Sequence, residues 1–169
     1  MLVTNLLNIS LQDWAKAEAY FKRNPDHSVM KKGVDNVSYS FFQNPKDHLI
    51  FAKGTLLGKG GFGKVKVAQN KQGVNFARKT IIRNNPGDQA RIDNEVSILG
   101  NVGMLVTSNS YMSKTKPYKY GICNIKQSIV MEFAGEENLA ELLISNSLNS
   151  DERKSVAGQI AQQLKRIHA

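Results

Sequence analysis

Several features that mark particular classes of protein are scarce or missing in this chain of 169 residues. It has one cysteine, Cys123, so no disulfide can form within the chain and a reducing compartment is expected. No apolar run approaches the roughly 18 residues that suggest a membrane span. The first residues lack the basic start and long apolar core of a secretory signal. The sequence also lacks a Cys/His metal-site spacing, a nucleophile elbow and a Walker-type G-K-[ST] motif.

Acidic residues are absent from two long stretches, so the net charge of +9 is unevenly distributed. Residues 103–127 contain four lysines and no acid, and residues 49–85 contain eight basic residues and no acid. Such an excess is the usual indication of nucleic-acid binding. Few aromatic residues accompany these lysines and no nucleic-acid motif is present, so we expect a solvated strand face that helps attract an anionic nucleotide. The eight basic residues are Lys53, Lys59, Lys64, Lys66, Lys71, Arg78, Lys79 and Arg83.

The stretch 57–65, L-G-K-G-G-F-G-K-V, is the most informative part of the sequence. Its glycines follow the G-x-G-x-x-G spacing, and glycine lets backbone N–H groups come close to an anion. In dinucleotide-binding folds a helix follows this motif. Here residues 64–68 alternate polar and apolar side chains, which predicts a strand. With the apolar run 49–52 before it, we expect a glycine loop between two strands, either a phosphate-covering loop or an ordinary hairpin.

The next strand is predicted to present a lysine on an apolar face. Residues 75–82 follow a turn at 71–73 and have the pattern of a strand. Because side chains alternate along a strand, Ala77, Lys79 and Ile81 share one face. A lysine whose stem lies along a strand edge is the alternative interpretation.

A helix follows this strand and carries a carboxylate in its apolar face. Asn85 is a good N-cap, Pro86 suits the first helical position, and Asp88 suits the positive end of the dipole. A carboxylate in an apolar face requires a cation, so we expect Glu95 to pair with Lys79. The alternative is a Glu95 at the edge of the face, exposed to water. The residues on this face are Ile92, Glu95, Val96 and Leu99.

In this order, the elements resemble those of the eukaryotic-type protein kinase family from Leu49 to the C-terminus. Four segments carry the resemblance, and 159–168 is similar to the family's αE helix. The segments are the glycine stretch 57–65, the third-strand motif Ala77-Arg78-Lys79, the αC segment Asn94-Glu95 with Ile98-Leu99, and 129–134 as fifth strand, gatekeeper and hinge.

The resemblance implies an α+β fold, with a protein-kinase-like small lobe of about five antiparallel strands and one αC helix. It implies a kinase-like N-lobe at 49–134 and a hinge with the first helices of an incomplete large lobe at 135–169. The residues before these, 1–48, have the pattern of a helical N-terminal extension with a short strand. Residues 117–123 would form the fourth strand, which leaves 104–116 as an insertion of extra helix and loop.

The resemblance also implies an activity, the transfer of the γ-phosphoryl group of ATP to Ser or Thr of a protein substrate. Lys79 would hold the α- and β-phosphates, and Glu95 would fix its ammonium group. The glycine loop would cover the phosphates, Glu132 and Ala134 would contact the adenine edge through their backbones, and Met131 would be the gatekeeper. The residues expected at ATP are Leu57, Gly58, Gly60, Gly61, Phe62, Gly63, Val65, Ala77, Lys79, Met131, Glu132 and Ala134.

The family's H-R-D catalytic loop and D-F-G metal-binding motif do not occur in this sequence. We therefore expect the Mg²⁺ ligands to lie beyond Ala169, and we expect an inactive fragment of a longer kinase. The alternatives are a pseudokinase or scaffold lobe that binds a protein, and a basic nucleic-acid-binding module. The expected location is the cytoplasm, and the Lys- and Asn-rich composition suggests a bacterial effector that acts in a host cytosol.

Helices are predicted near both ends of the chain. Residues 10–13 resemble a capping box before a helix with an apolar face of Leu11, Trp14, Ala15 and Phe21, which Asn24-Pro25 ends. This extension would dock on its own lobe or receive a partner. Ser150 is the expected N-cap of a last helix. Its apolar stripe lacks a large lobe to cover it, so we expect a homo-oligomer through residues 151–169. The stripe consists of Val156, Ile160, Leu164 and Ile167.

Overall fold

The computed structural model describes residues 7–61, 63–83, 85–112, 125–135 and 148–168. Within them the fold is α+β, as expected, with three α-helices and one antiparallel sheet. The elements are α1 (Leu11–Arg23), β1 (Val29–Met30), β2 (Phe41–Gln43), β3 (Ile50–Gly60), β4 (Gly63–Gln69), β5 (Asn75–Arg83), α2 (Gly87–Asn101), β6 (Leu105–Met112), β7 (Ile125–Glu132) and α3 (Ser150–His168).

The sheet has seven strands in the order β1-β2-β3-β4-β5-β7-β6, and each neighbouring pair is antiparallel. Five of the seven lie within 49–134, where about five were expected, and two lie in the N-terminal segment, where one short strand was expected. The additional strands β1 and β2 come from the N-terminal segment, where Phe41 pairs with Ala52 and Phe42 with Phe51. The N-terminal segment therefore extends the sheet itself.

The sheet curls until segments at its two ends are in contact. The Asn109 side-chain amide donates a hydrogen bond to the Ser28 hydroxyl (3.3 Å), and the Asn44 amide donates to the Ser108 carbonyl (3.3 Å). Asn44 also donates to the Thr107 hydroxyl. These bonds satisfy polar groups at the edge strand β6 and enclose the concave face of the sheet.

Helices α1 and α2 lie on one face of this sheet, and a row of three phenylalanines lies on the other. Trp14 of α1 packs edge-on against Phe41, with ring centroids 5.1 Å apart, and Ile92 of α2 packs in a cluster with Ile81 and Ile129. Alternation along the strands places the next side chains on the concave face. An aromatic row occupies it, formed by Phe42, Phe51 and Phe76, with centroid separations of 5.3 and 5.4 Å.

Helix α1 has the predicted bounds but a different apolar face. The Asp13 N–H donates to the Ser10 hydroxyl at 3.0 Å, which confirms the predicted cap. The expectation for Leu11 and Ala15 was wrong, because Leu11 is 77% exposed and Ala15 is also exposed. Ala17 is buried instead, since it lies on the same side of the helix as Trp14 and Phe21.

Strand β6 occupies part of the segment expected to be an insertion of helix and loop. The expectation was wrong for residues 105–112, because they pair along β7, and residues 113–116 lie outside the described residues. The polar side chains of this strand are typical of a loop sequence. In the structure they form hydrogen bonds at the sheet edge, as Asn109 does with Ser28. The fourth strand expected at 117–123 lies outside the described residues.

The N-cap of helix α3 is one residue earlier than expected. The Asn149 side chain accepts hydrogen bonds from the N–H groups of Asp151 and Glu152, both at 3.0 Å, so Asn149 and not Ser150 is the N-cap. The Glu152 carboxylate accepts from the Asn149 N–H at 2.7 Å and completes a capping box. No helix in the described part of the chain is long and apolar enough to cross a bilayer.

The expected solvated face of basic residues was wrong for Arg78. Its side chain is on the concave face and only 4% exposed, because the strands of the N-terminal segment curl over it. The guanidinium lies 3.9 Å from the centroid of the Phe42 ring, three strands away in sheet order.

Candidate functional site

The glycine stretch forms the closed end of the β3–β4 hairpin, as predicted. Gly60 pairs with Gly63 and Lys59 with Lys64. Gly58 and Leu57 lie within β3, where the register shifts beside them and Leu57 is half-buried. Phe62 lies outside the described residues. The hairpin therefore brings the predicted glycines together at one tip of the sheet.

The fold requires glycine at one of these positions only. Gly63 has φ +151°, and a Cβ there would lie 2.4 Å from the Thr80 carbonyl oxygen. An added Cβ at Gly58, Gly60 or Gly61 would have no atom within 4 Å, and none of the three has a φ in the left-handed range. Packing within the chain would therefore tolerate a side chain at Gly58, Gly60 or Gly61. A ligand bound close to the backbone would require glycine at these positions.

The predicted ion pair between Lys79 and Glu95 is formed. The Lys79 ammonium donates to both carboxylate oxygens of Glu95, at 2.6 and 2.8 Å. The two side chains are 23% and 30% exposed, so water still reaches the pair. The pair therefore joins β5 to α2 and leaves the lysine accessible to a further anion.

A capping box at the start of α2 positions Glu95. The Asn85 side chain accepts from the Asp88 N–H at 3.1 Å, and the Asp88 carboxylate accepts from the Asn85 N–H at 3.2 Å. Two turns further along, Ile92 is buried against the sheet. Since Glu95 follows Ile92 by three residues, the same helix face points its carboxylate toward β5.

The strand register places four of the predicted site residues on one face. Val65 pairs directly with Lys79, and Ala77 pairs directly with Met131. Directly paired residues share a face, and Ala77 and Lys79 are two apart in β5, so all four lie on the face that α2 covers. The result is an apolar patch beside a lysine.

The two expected hinge residues lie at the open end of β7. Glu132 and Ala134 are both exposed. Glu132 pairs with Phe76, so its side chain is on the opposite face from Ala77. This placement is compatible with a backbone role for Glu132 and leaves its carboxylate outside the patch.

A cavity of about 470 Å³ lies beside the hairpin tip, on the other face from Lys79. Its walls include Gly60, Gly61, Lys64 and Thr80. Lys64 pairs with Thr80 one rung from the Val65–Lys79 pair, so their side chains alternate to the opposite face. This cavity is therefore separate from the apolar patch.

Sequence reasoning gave no role to Arg78, the residue beside Lys79. Its Nε donates to the Ser128 hydroxyl at 2.8 Å, and its Nη2 donates to the Tyr111 hydroxyl at 3.1 Å. The sequence did contain one indication of its position. Side chains alternate along β5, so Phe76 and Arg78 share the face opposite to Ala77 and Lys79.

Among the described residues, no group of three or more His, Cys, Asp or Glu side chains is arranged to hold a metal ion. In comparisons with known proteins, no family model matches the chain and no curated sequence matches it.

Proposed function

We propose that this chain forms the nucleotide-covering small lobe of an ATP-dependent Ser/Thr protein kinase. The observation that carries the proposal is the bidentate Lys79–Glu95 pair, which lies on the same face as Val65 and Ala77 and is adjacent to a glycine hairpin. A strand lysine held by a helix glutamate is suited to receive phosphate oxygens, because the glutamate orients the ammonium group without blocking all of its donors.

Each part of the site has a separate role toward ATP. The N–H groups of the hairpin would donate to phosphate oxygens, which explains glycine at Gly58, Gly60 and Gly61. Leu57, Val65 and Ala77 would cover the adenine ring, with Met131 behind it and the Glu132 carbonyl and Ala134 N–H at its edge. ATP supplies the phosphoryl group, and this part of a kinase contributes positioning and charge neutralisation.

The catalytic base and the Mg²⁺ ligands are assigned to no residue of this sequence, since it contains neither H-R-D nor D-F-G. The chain by itself should therefore bind ATP without transferring its phosphoryl group. A kinase of this type would act on a protein substrate and use cytosolic ATP. We place its action in the cytoplasm, either of the producing cell or of a host that receives it as an effector.

Amide chemical shifts during a titration with ATP test this proposal. We expect fast-exchange shifts, with a dissociation constant on the order of 1 mM, at the amides of Gly58, Gly60, Gly61 and Gly63 and of Val65 and Ala77. A titration that moves none of these amides, or moves only residues of the concave face, would refute it. Saturable binding without transfer to any protein would also arise from a pseudokinase lobe.

A further inference from the structure

A second cavity, of about 540 Å³, opens where the ends of the curled sheet approach each other. Its wall combines residues from the N-terminal segment, β3, β6 and β7, including Ser28, Lys53, Tyr111 and Lys126. Alternation along the strands places Lys53, Tyr111 and Lys126 on the concave face. The cavity is therefore on the opposite face of the sheet from the Lys79–Glu95 pair.

Four basic side chains from four strands converge on this face. Lys66 of β4 pairs directly with Arg78 of β5, and Lys53 of β3 follows the same face. Lys126 of β7 pairs with Ile82, four residues from Arg78. Arg78 connects to the cavity through Tyr111, whose hydroxyl accepts its hydrogen bond at 3.1 Å.

The described residues provide no carboxylate for three of these cations. Lys53, Lys66 and Arg78 form no ion pair within 4.0 Å in the described part of the chain. Asp26, His27 and Lys31 line the rim, where Asp26 is exposed. The acids outside the described residues are Glu136, Glu137 and Glu141.

Burying positive charge without a counter-charge is unfavourable, and neutral partners offset it only in part. The partners of Arg78 are two hydroxyl groups and the Phe42 ring. Burial, together with the nearby charges of Arg78, Lys66 and Lys126, lowers the pKa of Lys53 to about 8. An anion in the cavity would neutralise this excess and would accept hydrogen bonds from the lysines and hydroxyls at its wall.

We propose that this concave-face cavity is a second anion-binding site, and that it takes a small phosphorylated molecule carrying at least two negative charges. The volume is in the range of small-molecule sites, which is about 300–1,000 Å³. Several cations at separate positions favour a ligand with more than one anionic group. Hydroxyl groups of Tyr111 and Ser28 add polar contacts at the wall.

Titration of the full chain with inorganic pyrophosphate, at about 0.1 M NaCl to screen non-specific attraction, tests this site. We expect saturable calorimetric binding and a rise in Tm with pyrophosphate concentration. Lys53→Met should weaken the affinity by about tenfold, equivalent to about 1.4 kcal/mol. Lys53→Met should also fold well, because it removes a cation from a place that disfavours charge.

Two matched variants separate this site from other sources of binding. Lys22→Met removes an exposed lysine of α1 and should change the pyrophosphate affinity less than about twofold. Lys79→Met removes the cation of the opposite face and reports any pyrophosphate that binds there. The proposal is overturned if pyrophosphate binding does not saturate at concentrations of a few millimolar (~5 mM). It is equally overturned if Lys53→Met binds as the wild type does, or if Lys79→Met alone removes binding.

Discussion

The ammonium group of Lys79 and the carboxylate of Glu95 lie in an environment between surface and core, at 23% and 30% exposure. Replacing the lysine would leave a half-buried carboxylate with no cation. We expect Lys79→Met to lower the free energy of unfolding by about 1–3 kcal/mol. The double variant Lys79→Met/Glu95→Gln should recover part of this loss, because partial burial of an unpaired neutral amide costs less free energy than partial burial of an unpaired carboxylate. Urea denaturation of the three proteins measures both values.

An exposed ion pair in the same chain provides the control. Lys71 and Glu18 are 2.7 Å apart and 44% and 46% exposed. Lys71→Met should therefore cost less than about 1 kcal/mol. Equal denaturation midpoints for Lys79→Met and its double variant would contradict a formed pair, and would indicate that Glu95 is turned away from β5.

Lys53 should make stability depend on pH in the alkaline range. Its pKa is about 8 in the folded chain, against an ordinary value of 10.5. Between these values the unfolded chain binds more protons than the native one, so the free energy of unfolding rises with pH from this group. Lys53→Met removes that contribution and should be more stable than the wild type at pH 7, by roughly 1–2 kcal/mol.

The difference between wild type and Lys53→Met is the quantity to follow by denaturation at several pH values. It should shrink as the pH rises from about 8 to 10.5. Tyr20, Tyr111 and the other basic groups near the cavity are present in both proteins, so their titration largely cancels in the difference. A difference that stays constant over this range would show that Lys53 is not buried among cations.

At the scale of elements, the β3–β4 hairpin separates glycines required by folding from glycines available for a ligand. Gly63→Ala should destabilise the protein by several kcal/mol, because its Cβ would meet the Thr80 carbonyl at 2.4 Å. Gly60→Ala has open space and should change stability by less than about 1 kcal/mol, while weakening ATP binding. Thermal denaturation and calorimetry measure the two effects. Normal ATP affinity in Gly60→Ala would contradict a phosphate-covering role.

Helix α3 presents an apolar stripe that the described residues leave uncovered. Ile160 is 40% and Leu164 is 50% exposed, and Val156 is half-buried. Fully burying each such side chain contributes about 1.5–3 kcal/mol, so pairing of two stripes would be favourable. We predict a homodimer or larger oligomer through residues 151–169, with two-fold symmetry the simplest arrangement.

Light scattering of the wild type and of Ile160→Glu measures this association. The glutamate should shift the protein to monomer, whereas Gln159→Glu, a matched change on a neighbouring exposed residue, should leave the assembly unchanged. A wild type that is monomeric at high micromolar concentration would contradict the prediction. An assembly that persists in Ile160→Glu would exclude this stripe as the interface.

Elements with strong local signals were predictable, and those formed by distant contacts were not. The cap at Ser10 and the end at Asn24 predicted α1, and the glycine hairpin followed from the apolar run before the motif and the alternation after it. Strand β6 was missed because its polar side chains carry little β signal, and its pairing depends on the edge contact between Asn109 and Ser28. The strands β1 and β2 are too short for a periodic pattern.

At the scale of the whole molecule, the curl of the sheet gives the two faces different chemistry. The sequence predicted the Lys79–Glu95 pair because both residues interrupt apolar patterns, which requires a compensating contact. The sequence did not predict that the concave face is enclosed. Alternation along β5 shows that Arg78 lies on the opposite face from Lys79, but it does not show that the sheet curls over Arg78. Enclosure depends on side chains far apart in sequence, such as Phe42 and Arg78.

The most direct measurement is the calorimetric Kd of ATP for Lys53→Met and for Lys53→Met/Lys79→Met, at equal salt. Lys53→Met weakens anion binding in the concave-face cavity, so the comparison of the two proteins reports ATP binding on the face that carries Lys79. If Lys79 holds the phosphates, Lys53→Met alone should bind ATP with a Kd on the order of 1 mM, and the added Lys79→Met should weaken this by at least about tenfold. Equal affinities in the two proteins would contradict nucleotide binding at the Lys79–Glu95 pair.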